Sequence, residues 1–315
     1  MKKRFALFII LLLILTCSSA LAQRSDSPPP LLVIDRPDSA SLPSSFRTTT
    51  GEWRDVRPAM PSARGLVTLR ASGSSQFSEG ELMEMLPHLG NNVIIVDLRE
   101  ESHGFLNGAA VSWYGVQNWA NKGKTFDQVL ADERARLDGL RAVREVDIAR
   151  SKPRHGKVKL RKMTVGAVAS EAEVAAANKA GYFRITATDH VRPADAAVDR
   201  FVRFVNQLPP GAWLHFHCRA GHGRTTTFLV MYDILRNGKK VTLADIASRQ
   251  HLLGGVDLLA AAPAKEGWAR EAYLERARFI GEFYRYVTTS PDDLPLSWSD
   301  WLKTRPRPLS DGTRL

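Results

Sequence analysis

The stretch at 213–228, WLHFHCRAGHGRTTTF, carries the residue types best suited to chemistry. Cys218 and Arg224 are separated by five residues, two of which are the glycines Gly221 and Gly223. Such a segment can turn its backbone N–H groups towards one oxyanion, because glycine adopts the backbone angles that this turn requires. The sequence therefore predicts a phosphate-binding loop with a cysteine aimed at its centre.

The predicted chemistry is nucleophilic attack by a thiolate on phosphorus. Inward-facing amides, the N-terminal end of the following helix and the permanent charge of Arg224 all stabilise negative charge at Cys218. The hydroxyl of Thr225 is placed to hydrogen-bond the sulfur. A phosphate ester bound here would form a phosphocysteine that water later hydrolyses. The loop residues predicted to bind the phosphate are Arg219, Ala220, Gly221, His222 and Gly223.

This mechanism also needs an acid for the departing oxygen. Asp189 follows a predicted strand and precedes Pro193, on a loop that could close over the cysteine. A lone aspartate in a loop more often caps a turn. The position of Asp189, one strand–helix unit before the nucleophile, favours the role of general acid. The neighbouring His190 either contacts substrate or only shapes the loop.

Strands alternate with helices along the chain, which predicts an α/β fold with a central sheet flanked by helices. Buried strands are expected at 93–96, 182–185 and 212–217, further strands at 143–148 and 158–165, and helices at 81–89, 125–140, 171–179, 194–207, 225–236, 243–251 and 266–287.

Several stretches resemble the bacterial protein-tyrosine-phosphatase-like phytases, or cysteine phytases. The nucleophile loop, led by His217 and closed by Arg224 and Thr225, is similar to the signature of the wider tyrosine phosphatase superfamily. His217 and Thr225 are therefore candidate catalytic residues too. The resemblance runs from about residue 41 to 302. The matching stretches are 97–107, 111–115, 118–124, 131–134 and 183–190.

This resemblance implies a tyrosine-phosphatase-like core with a small partial β-barrel. It implies stepwise dephosphorylation of myo-inositol hexakisphosphate, with neither a metal nor another cofactor. It assigns Cys218 as the nucleophile, Arg224 as the phosphate binder and Asp189 as the general acid. It also suggests that Arg47 and Lys265 contact other phosphates on the ring.

The sequence departs from the family pattern at three places. His222 stands where a small or apolar residue is expected, which changes the local charge. Asn118 stands where some relatives are expected to carry an acid that contacts a substrate hydroxyl. The segment 256–264 is shorter than expected, which affects the position of Lys265.

The chain is basic, with a formal net charge of +11 and a pI near 9.9. This charge favours anionic partners, and an inositol polyphosphate is the small-molecule substrate expected here. No nucleic-acid-binding motif is present, so nucleic acid is not an expected partner. A basic run at 152–162 is typical of a solvated hairpin. The sequence carries no signal for oligomeric state.

The N-terminus predicts export. A positive start at 2–4 precedes an apolar run and a cleavage motif near Ala22, so residues 1–22 read as a signal peptide. Lipoprotein processing at Cys17 is the alternative. Cleavage would leave Cys218 as the sole thiol, no internal disulfide and no stable membrane span. The expected location is periplasmic or secreted.

The remaining boundaries follow from composition. Proline and serine predict a flexible N-terminal arm at 23–45, and residues 303–315 a tail. The phytase domain is predicted at 46–302, with a small β-rich subregion at 140–165 and 46–75. Two other functions stay open: a phosphatase for phosphotyrosine proteins or phosphoinositide lipids, and a non-catalytic phosphate-binding protein.

Overall fold

The computed structural model describes residues 29–55, 57–152, 158–260 and 267–305. Its strands are β1 (Leu31–Arg36), β2 (Arg47–Thr48), β3 (Ala71–Ser75), β4 (Val93–Arg99), β5 (His103–Leu106), β6 (Ala109–Tyr114), β7 (Glu145–Ala149), β8 (Leu160–Thr164), β9 (Val168–Ala169), β10 (Gly181–Ala187) and β11 (Trp213–Cys218). Its α-helices are α1 (Glu79–Met85), α2 (Phe126–Arg141), α3 (Glu171–Ala177), α4 (Asp195–Asn206), α5 (Gly223–Asn237), α6 (Leu243–Leu252), α7 (Trp268–Thr289) and α8 (Trp298–Thr304).

A five-stranded sheet holds the cysteine, with the strand order β10-β4-β11-β3-β2. Central β11 runs parallel to β3 and β4, and every one of its residues is buried. Strand β10 is parallel to β4, so four strands end at the same edge. Loops at the carboxyl edge of a parallel sheet are where α/β proteins bind ligands. The predicted α/β fold, with helices flanking a central sheet, is confirmed.

The largest apolar cluster joins this sheet to α4, α5 and α7. Phe201 of α4 is fully buried, and its ring centroid lies 6.1 Å from Phe216 and 5.1 Å from Phe228, both edge-on. Edge-to-face aromatic contacts add to the stabilisation from burial itself. This packing fixes α5, and therefore the nucleophile loop from which α5 begins, against the central strand.

A six-stranded sheet forms the second layer, in the order β8-β7-β1-β6-β5-β9. Strand β1 lies in its middle, antiparallel to β6 and parallel to β7. The prediction of a flexible arm at 23–45 is therefore wrong for residues 31–36, where four successive apolar residues were obscured by flanking prolines. The prediction that 46–75 and 140–165 form one β-rich subregion is also wrong. Residues 46–75 supply β2 and β3 of the five-stranded sheet, whereas 140–165 supplies β7 and β8 of the six-stranded sheet.

Several predicted features lie outside the described residues: the signal peptide at 1–22, Lys265, the centre of the basic turn at 153–157 and the tail from 306 onwards. The tail was predicted to start at 303, but α8 continues to Thr304. Among the described residues, no helix has the length and apolar character needed to span a bilayer.

Truncating Phe201 to alanine should lower the free energy of unfolding by about 3–5 kcal/mol, because it removes a ring from a close-packed core. Urea denaturation of the variant and the wild type measures this difference. Val67→Ala is the control, since Val67 is 63% exposed and its loss should change little. A loss below about 1 kcal/mol for Phe201→Ala would contradict this account of the core.

Candidate active site

The nucleophile loop, residues 218–224, connects the end of β11 to the start of α5. Gly221 has φ +75°, and a Cβ there would lie 2.5 Å from the backbone nitrogen of Ser75. Only glycine fits that approach, because any side chain would overlap the end of β3. The carbonyl oxygen of Arg219 also accepts a hydrogen bond from the amide of Gln76, at 3.2 Å. The loop is thus held against the neighbouring strand.

Cys218 lies at the base of this loop and is 3% exposed. Its Sγ accepts a hydrogen bond from Thr225 Oγ1 at 3.1 Å. Thr225 belongs to the first turn of α5, where the positive end of the helix dipole faces the loop. The sulfur, the hydroxyl and the helix end therefore lie together at the base of the loop.

Arg224 is held by two carboxylates. Its Nη1 and Nη2 donate to the two oxygens of Glu101, at 2.7 and 3.0 Å, and Nη2 lies 3.1 Å from Asp189 Oδ2. Burial opposes the charge of Arg224, but Asp189 and Glu101 raise its pKa above the usual range. Its Nε has no partner among the described residues, so this donor remains for a ligand. The sequence reading missed Glu101, which lies just after the carboxyl end of buried β4.

Glu101 also belongs to a chain of alternating charges. Its Oε1 accepts from Arg99 Nε at 2.9 Å, and Arg99 Nη2 donates to Asp35 Oδ2 at 2.9 Å. The other oxygen of Asp35 accepts from Arg219 Nε at 2.7 Å. Although burial opposes ionisation, the arginines keep the pKa values of Glu101 and Asp35 below their usual range. Asp35 of β1 thereby connects the six-stranded sheet to the nucleophile loop.

Asp189 is fixed from three directions. Its Oδ2 accepts from Asn118 Nδ2 at 3.2 Å, and its backbone oxygen accepts from Trp119 Nε1 at 2.9 Å. The amide of His190, a residue with φ +71°, donates to Oδ1 at 2.9 Å. Asn118, one of the departures from the family pattern, thus contacts the predicted general acid directly. The His190 backbone shapes the loop, and its side chain faces the cavity described next.

A cavity of about 780 Å³ opens above Cys218 and has walls from both sheets. The cationic side chains on its walls are Arg150, Lys152, Arg219 and Arg276, joined by the imidazoles of His190 and His222. Lys152 belongs to the basic run at 152–162 that was predicted to be a solvated hairpin, and Arg150 lies just before that run. They reach the cavity because β7 lies parallel to β1. The high density of basic residues after position 149 was the sequence signal that could have identified these cavity residues.

Arg47 does not reach this cavity. It is 5% exposed and lies behind the loop, where Nη1 donates to the Gly221 carbonyl at 2.9 Å and Nη2 to Thr226 Oγ1 at 3.3 Å. The predicted contact between Arg47 and ring phosphates is therefore corrected: this arginine braces the loop from its far side. Burial lowers its pKa to about 10. Lys265, the other residue suggested for ring phosphates, lies outside the described residues.

His222 lines the cavity mouth, at the position just before Gly223. Its burial, followed by the charges of Arg47 and Arg54, lowers its pKa below the ordinary value. Each of these effects disfavours the charged imidazole. His222 therefore lies beside the substrate space without adding a full charge at neutral pH.

Below the loop lies a buried polar cluster that the sequence reading did not anticipate. His217 Nε2 is 2.6 Å from Glu171 Oε1, while His103 Nε2 is 3.2 Å from Asp97 Oδ2 and 3.3 Å from Glu171 Oε2. Burial disfavours a charge on His103, but Asp97 and other carboxylates raise its pKa to about 10. His103 is therefore a buried cation at neutral pH.

Asp97, His103 and Glu171 have the ligand types and spacing to hold a metal ion. The fit is poor, because protein donors already use the oxygens. Asp97 Oδ2 accepts from the Tyr182 hydroxyl at 2.7 Å and lies 3.1 Å from Arg184 Nε. Glu171 Oε2 accepts from the Gln76 amide at 2.9 Å. We therefore assign the cluster to a network internal to the protein.

Comparison with known proteins places the chain in a family. A family model for protein-tyrosine-phosphatase-like phytases, described by the term inositol hexakisphosphate, matches residues 96–236. A solved protein-tyrosine-phosphatase-like phytase from Bdellovibrio bacteriovorus is 34% identical, with a TM-score of 0.71 over 88% of this chain and 96% of its own. The chain belongs to the protein-tyrosine-phosphatase-like phytase family. The resemblance inferred from the sequence motifs is confirmed.

Longer proteins are also similar. The tandemly repeated phytase of this type from Mitsuokella multacida is 39% identical, with a TM-score of 0.82 over 89% of this chain and 50% of its own. A myo-inositol phosphatase from the same organism, solved with myo-inositol-(1,3,4,5)-tetrakisphosphate, is 40% identical, with a TM-score of 0.83 over 89% and 48%. Effector protein hopD2 of Pseudomonas syringae pv. tomato is 28% identical over 86% of this chain and 59% of its own. The chain thus spans about half the length of the Mitsuokella proteins.

The raised pKa of His103 predicts a loss of stability in alkaline solution. Protonated His103 stabilises the folded state fully below its ordinary pKa of 6.5, and this contribution is lost as the pH rises through about 10. The free energy of unfolding from urea titrations should therefore fall by roughly 2–4 kcal/mol between pH 7 and 10. His103→Gln should show a shallower fall, and equal slopes in both proteins would contradict the assignment.

Proposed function

We propose that this protein is a cysteine-dependent phosphoric monoester hydrolase that removes phosphates stepwise from myo-inositol hexakisphosphate. One observation carries the proposal. The Cys218 sulfur, hydrogen-bonded by Thr225, lies at the base of a cation-lined cavity of about 780 Å³. A nucleophile at the base of a positive cleft suits a small polyanion, because the field of the cleft concentrates such ligands.

In the first step the scissile phosphate binds to the amides of the loop and to Arg224. Arg224 offers its buried Nε and exchanges its contact with Asp189 for phosphate oxygens. The Cys218 thiolate attacks phosphorus, so an S–P bond forms as the P–O bond to the ring breaks. Asp189 transfers its proton to the leaving ring oxygen, which departs as a neutral hydroxyl.

In the second step water replaces the ring hydroxyl. Asp189, now a carboxylate, takes a proton from that water, and the water oxygen attacks the phosphocysteine. The S–P bond breaks, and inorganic phosphate and the thiolate are released. Thr225 stabilises the sulfur as a leaving group through its hydrogen bond. Each protein group therefore returns to its starting state, without any step assigned to a metal.

The substrate class follows from charge and from similarity. Six phosphates on one ring match a cavity whose walls carry Arg150, Lys152, Arg219 and Arg276. A similar Mitsuokella multacida protein was solved with an inositol tetrakisphosphate, which supports this class of substrate. Phosphotyrosine proteins and phosphoinositide lipids are the enzymatic alternative, and simple phosphate capture is the non-catalytic one.

Export to the periplasm or the exterior is also part of the proposal. It rests on the sequence alone, through the positive start, the apolar run and the small residues around Ala22. Analysis of the mature N-terminus after expression in a bacterium would test it, with Gln23 as the expected first residue.

The decisive experiment is product analysis after incubation with myo-inositol hexakisphosphate. The wild type should release phosphate and form lower inositol phosphates, and Cys218→Ser should lower the rate by at least about 1,000-fold, since its hydroxyl is a far weaker nucleophile. Much faster release from a phosphotyrosine peptide would support the first alternative instead. Binding without release by the wild type would support phosphate capture.

Arg219 should discriminate by substrate charge. Its Nε is bound to Asp35, and the residue lines the cavity. Arg219→Gln should lower kcat/KM for inositol hexakisphosphate about tenfold or more, as expected for one lost charge-assisted hydrogen bond. On p-nitrophenyl phosphate, which has a single phosphate, the loss should be clearly smaller, because it reflects only the lost contact between Arg219 and Asp35 that braces the loop.

The matched control is Arg236→Gln, which removes the same charge at the other end of α5. Both substrates should be turned over by this variant as by the wild type. Equal losses on both substrates for Arg219→Gln would show that Arg219 shapes the loop instead of selecting polyanions.

A further inference from the structure

Three successive carbonyl groups of the nucleophile loop each accept a hydrogen bond from a residue outside the loop. The pairs are Arg219 O with the Gln76 amide at 3.2 Å, Ala220 O with Ser45 Oγ at 3.4 Å and Gly221 O with Arg47 Nη1 at 2.9 Å. The three donors lie in or next to β2 and β3, which are on one side of β11 in the sheet. None of the three donors lines the cavity above Cys218. The carbonyl groups are therefore held from outside the cavity.

The direction of each carbonyl sets the direction of the next amide. In a trans peptide the C=O and N–H groups lie in one plane and point in opposite directions. A carbonyl that is held away from the cavity therefore turns the N–H of the following residue towards the cavity. The amides set in this way are those of Ala220, Gly221 and His222, and none of them donates a hydrogen bond to another described residue. These three donors remain for an oxyanion.

We propose that Arg47 is a positioning residue for the phosphate-binding amides, because its hydrogen bond to the Gly221 carbonyl turns the N–H of His222 towards the substrate phosphate. This inference rests on the proposed function, since it concerns the same loop. It deepens that function, because it makes affinity for the scissile phosphate depend on a side chain 174 positions away in sequence that does not line the cavity.

The Arg47 side chain is held firmly enough to fix a peptide plane. Its Nη1 also donates to the Ser45 carbonyl at 3.0 Å, and its Nη2 donates to Thr226 Oγ1, in the first turn of α5, at 3.3 Å. Its backbone is paired with Gly73 of β3. Because a guanidinium is a rigid planar fork, contacts at both nitrogens leave the donor to Gly221 with one direction.

Among the three contacts, that of Arg47 is the strongest one made by a side chain. A charged donor forms a hydrogen bond about twice as strong as a neutral one, whereas Ser45 Oγ is neutral and lies 3.4 Å from its acceptor. The donor from Gln76 is a backbone amide, which a substitution leaves in place. Without Arg47 the peptide between Gly221 and His222 can rotate and present its oxygen, instead of its N–H, to an anion.

The first test measures the binding of tungstate to the full chain by calorimetry. Tungstate is a tetrahedral dianion, as a phosphate monoester is, and its binding requires no turnover. In Arg47→Gln the Kd should rise about tenfold or more, as expected for one misdirected charge-assisted hydrogen bond. Arg47→Lys keeps the charge, but its single nitrogen cannot contact both Gly221 and Thr226. Its Kd should lie between those of the wild type and Arg47→Gln.

The second test compares two substrates. In Arg47→Gln, kcat/KM should fall by the same factor for p-nitrophenyl phosphate and for inositol hexakisphosphate, because each substrate places one phosphate in the loop. This result would separate Arg47 from Arg219, whose loss should be larger for the polyanion.

Arg57→Gln is the matched control, since it removes the same charge from the same part of the chain. The Arg57 side chain is 45% exposed and pairs with Asp55 at the surface. Its tungstate Kd and its activity on both substrates should match those of the wild type. If Arg47→Gln does not fold, Arg47→Lys decides: a wild-type Kd in that variant would mean that charge alone suffices, and would overturn the proposal.

Two further results would overturn it. An unchanged tungstate Kd in folded Arg47→Gln would limit Arg47 to a role in stability. A loss on inositol hexakisphosphate alone would mean that Arg47 contacts the other ring phosphates. Failure of the proposed function looks different. In that case the wild type would still bind tungstate more tightly than Arg47→Gln, but neither protein would release phosphate from inositol hexakisphosphate.

Discussion

The site depends on a buried row of alternating charges that runs from Arg219 through Asp35, Arg99 and Glu101 to Arg224. An unpaired buried charge costs several kcal/mol, so Asp35, Arg99 and Glu101 in the middle of the row are stable only while both of their neighbours are in place. The row starts and ends in the nucleophile loop but passes through β1 and the end of β4. The geometry of the loop is thus set jointly by both sheets.

This constraint gives the two sheets different tasks. The five-stranded sheet presents the cysteine, the loop amides and the start of α5 at one edge. The six-stranded sheet supplies Asp35 and, after β7, the cations Arg150 and Lys152. Chemistry on a single phosphate needs only the first set of groups. Preference for a polyanion needs the second set, because it adds positive charge where further phosphates would lie.

The sequence predicted best what is contiguous. The nucleophile loop occupies seven successive residues between a buried strand and a helix, so the local sequence is enough to predict how its backbone amides are arranged. Asp189 was predicted as the general acid from its order relative to that loop, and its Oδ2 lies 3.1 Å from Arg224 Nη2 in the structure. The prediction was wrong at β1, where flanking prolines suggested a flexible arm. It was also wrong for Arg47, because sequence separation does not tell on which side of the loop a residue packs.

The sequence by itself determined the α/β fold, the family and the group of Cys218, Thr225 and Arg224, because strand, glycine turn and helix end are local properties. Only the tertiary structure decided which charges surround them. Glu101 meets Arg224 across 123 positions of sequence, and Asp35 meets Arg219 across 184. Such pairs depend on strand order and on how the sheets pack, and no local pattern encodes either. The same holds for Glu171, which lies 2.6 Å from His217 because α3 packs against β10 and β5 of the two sheets.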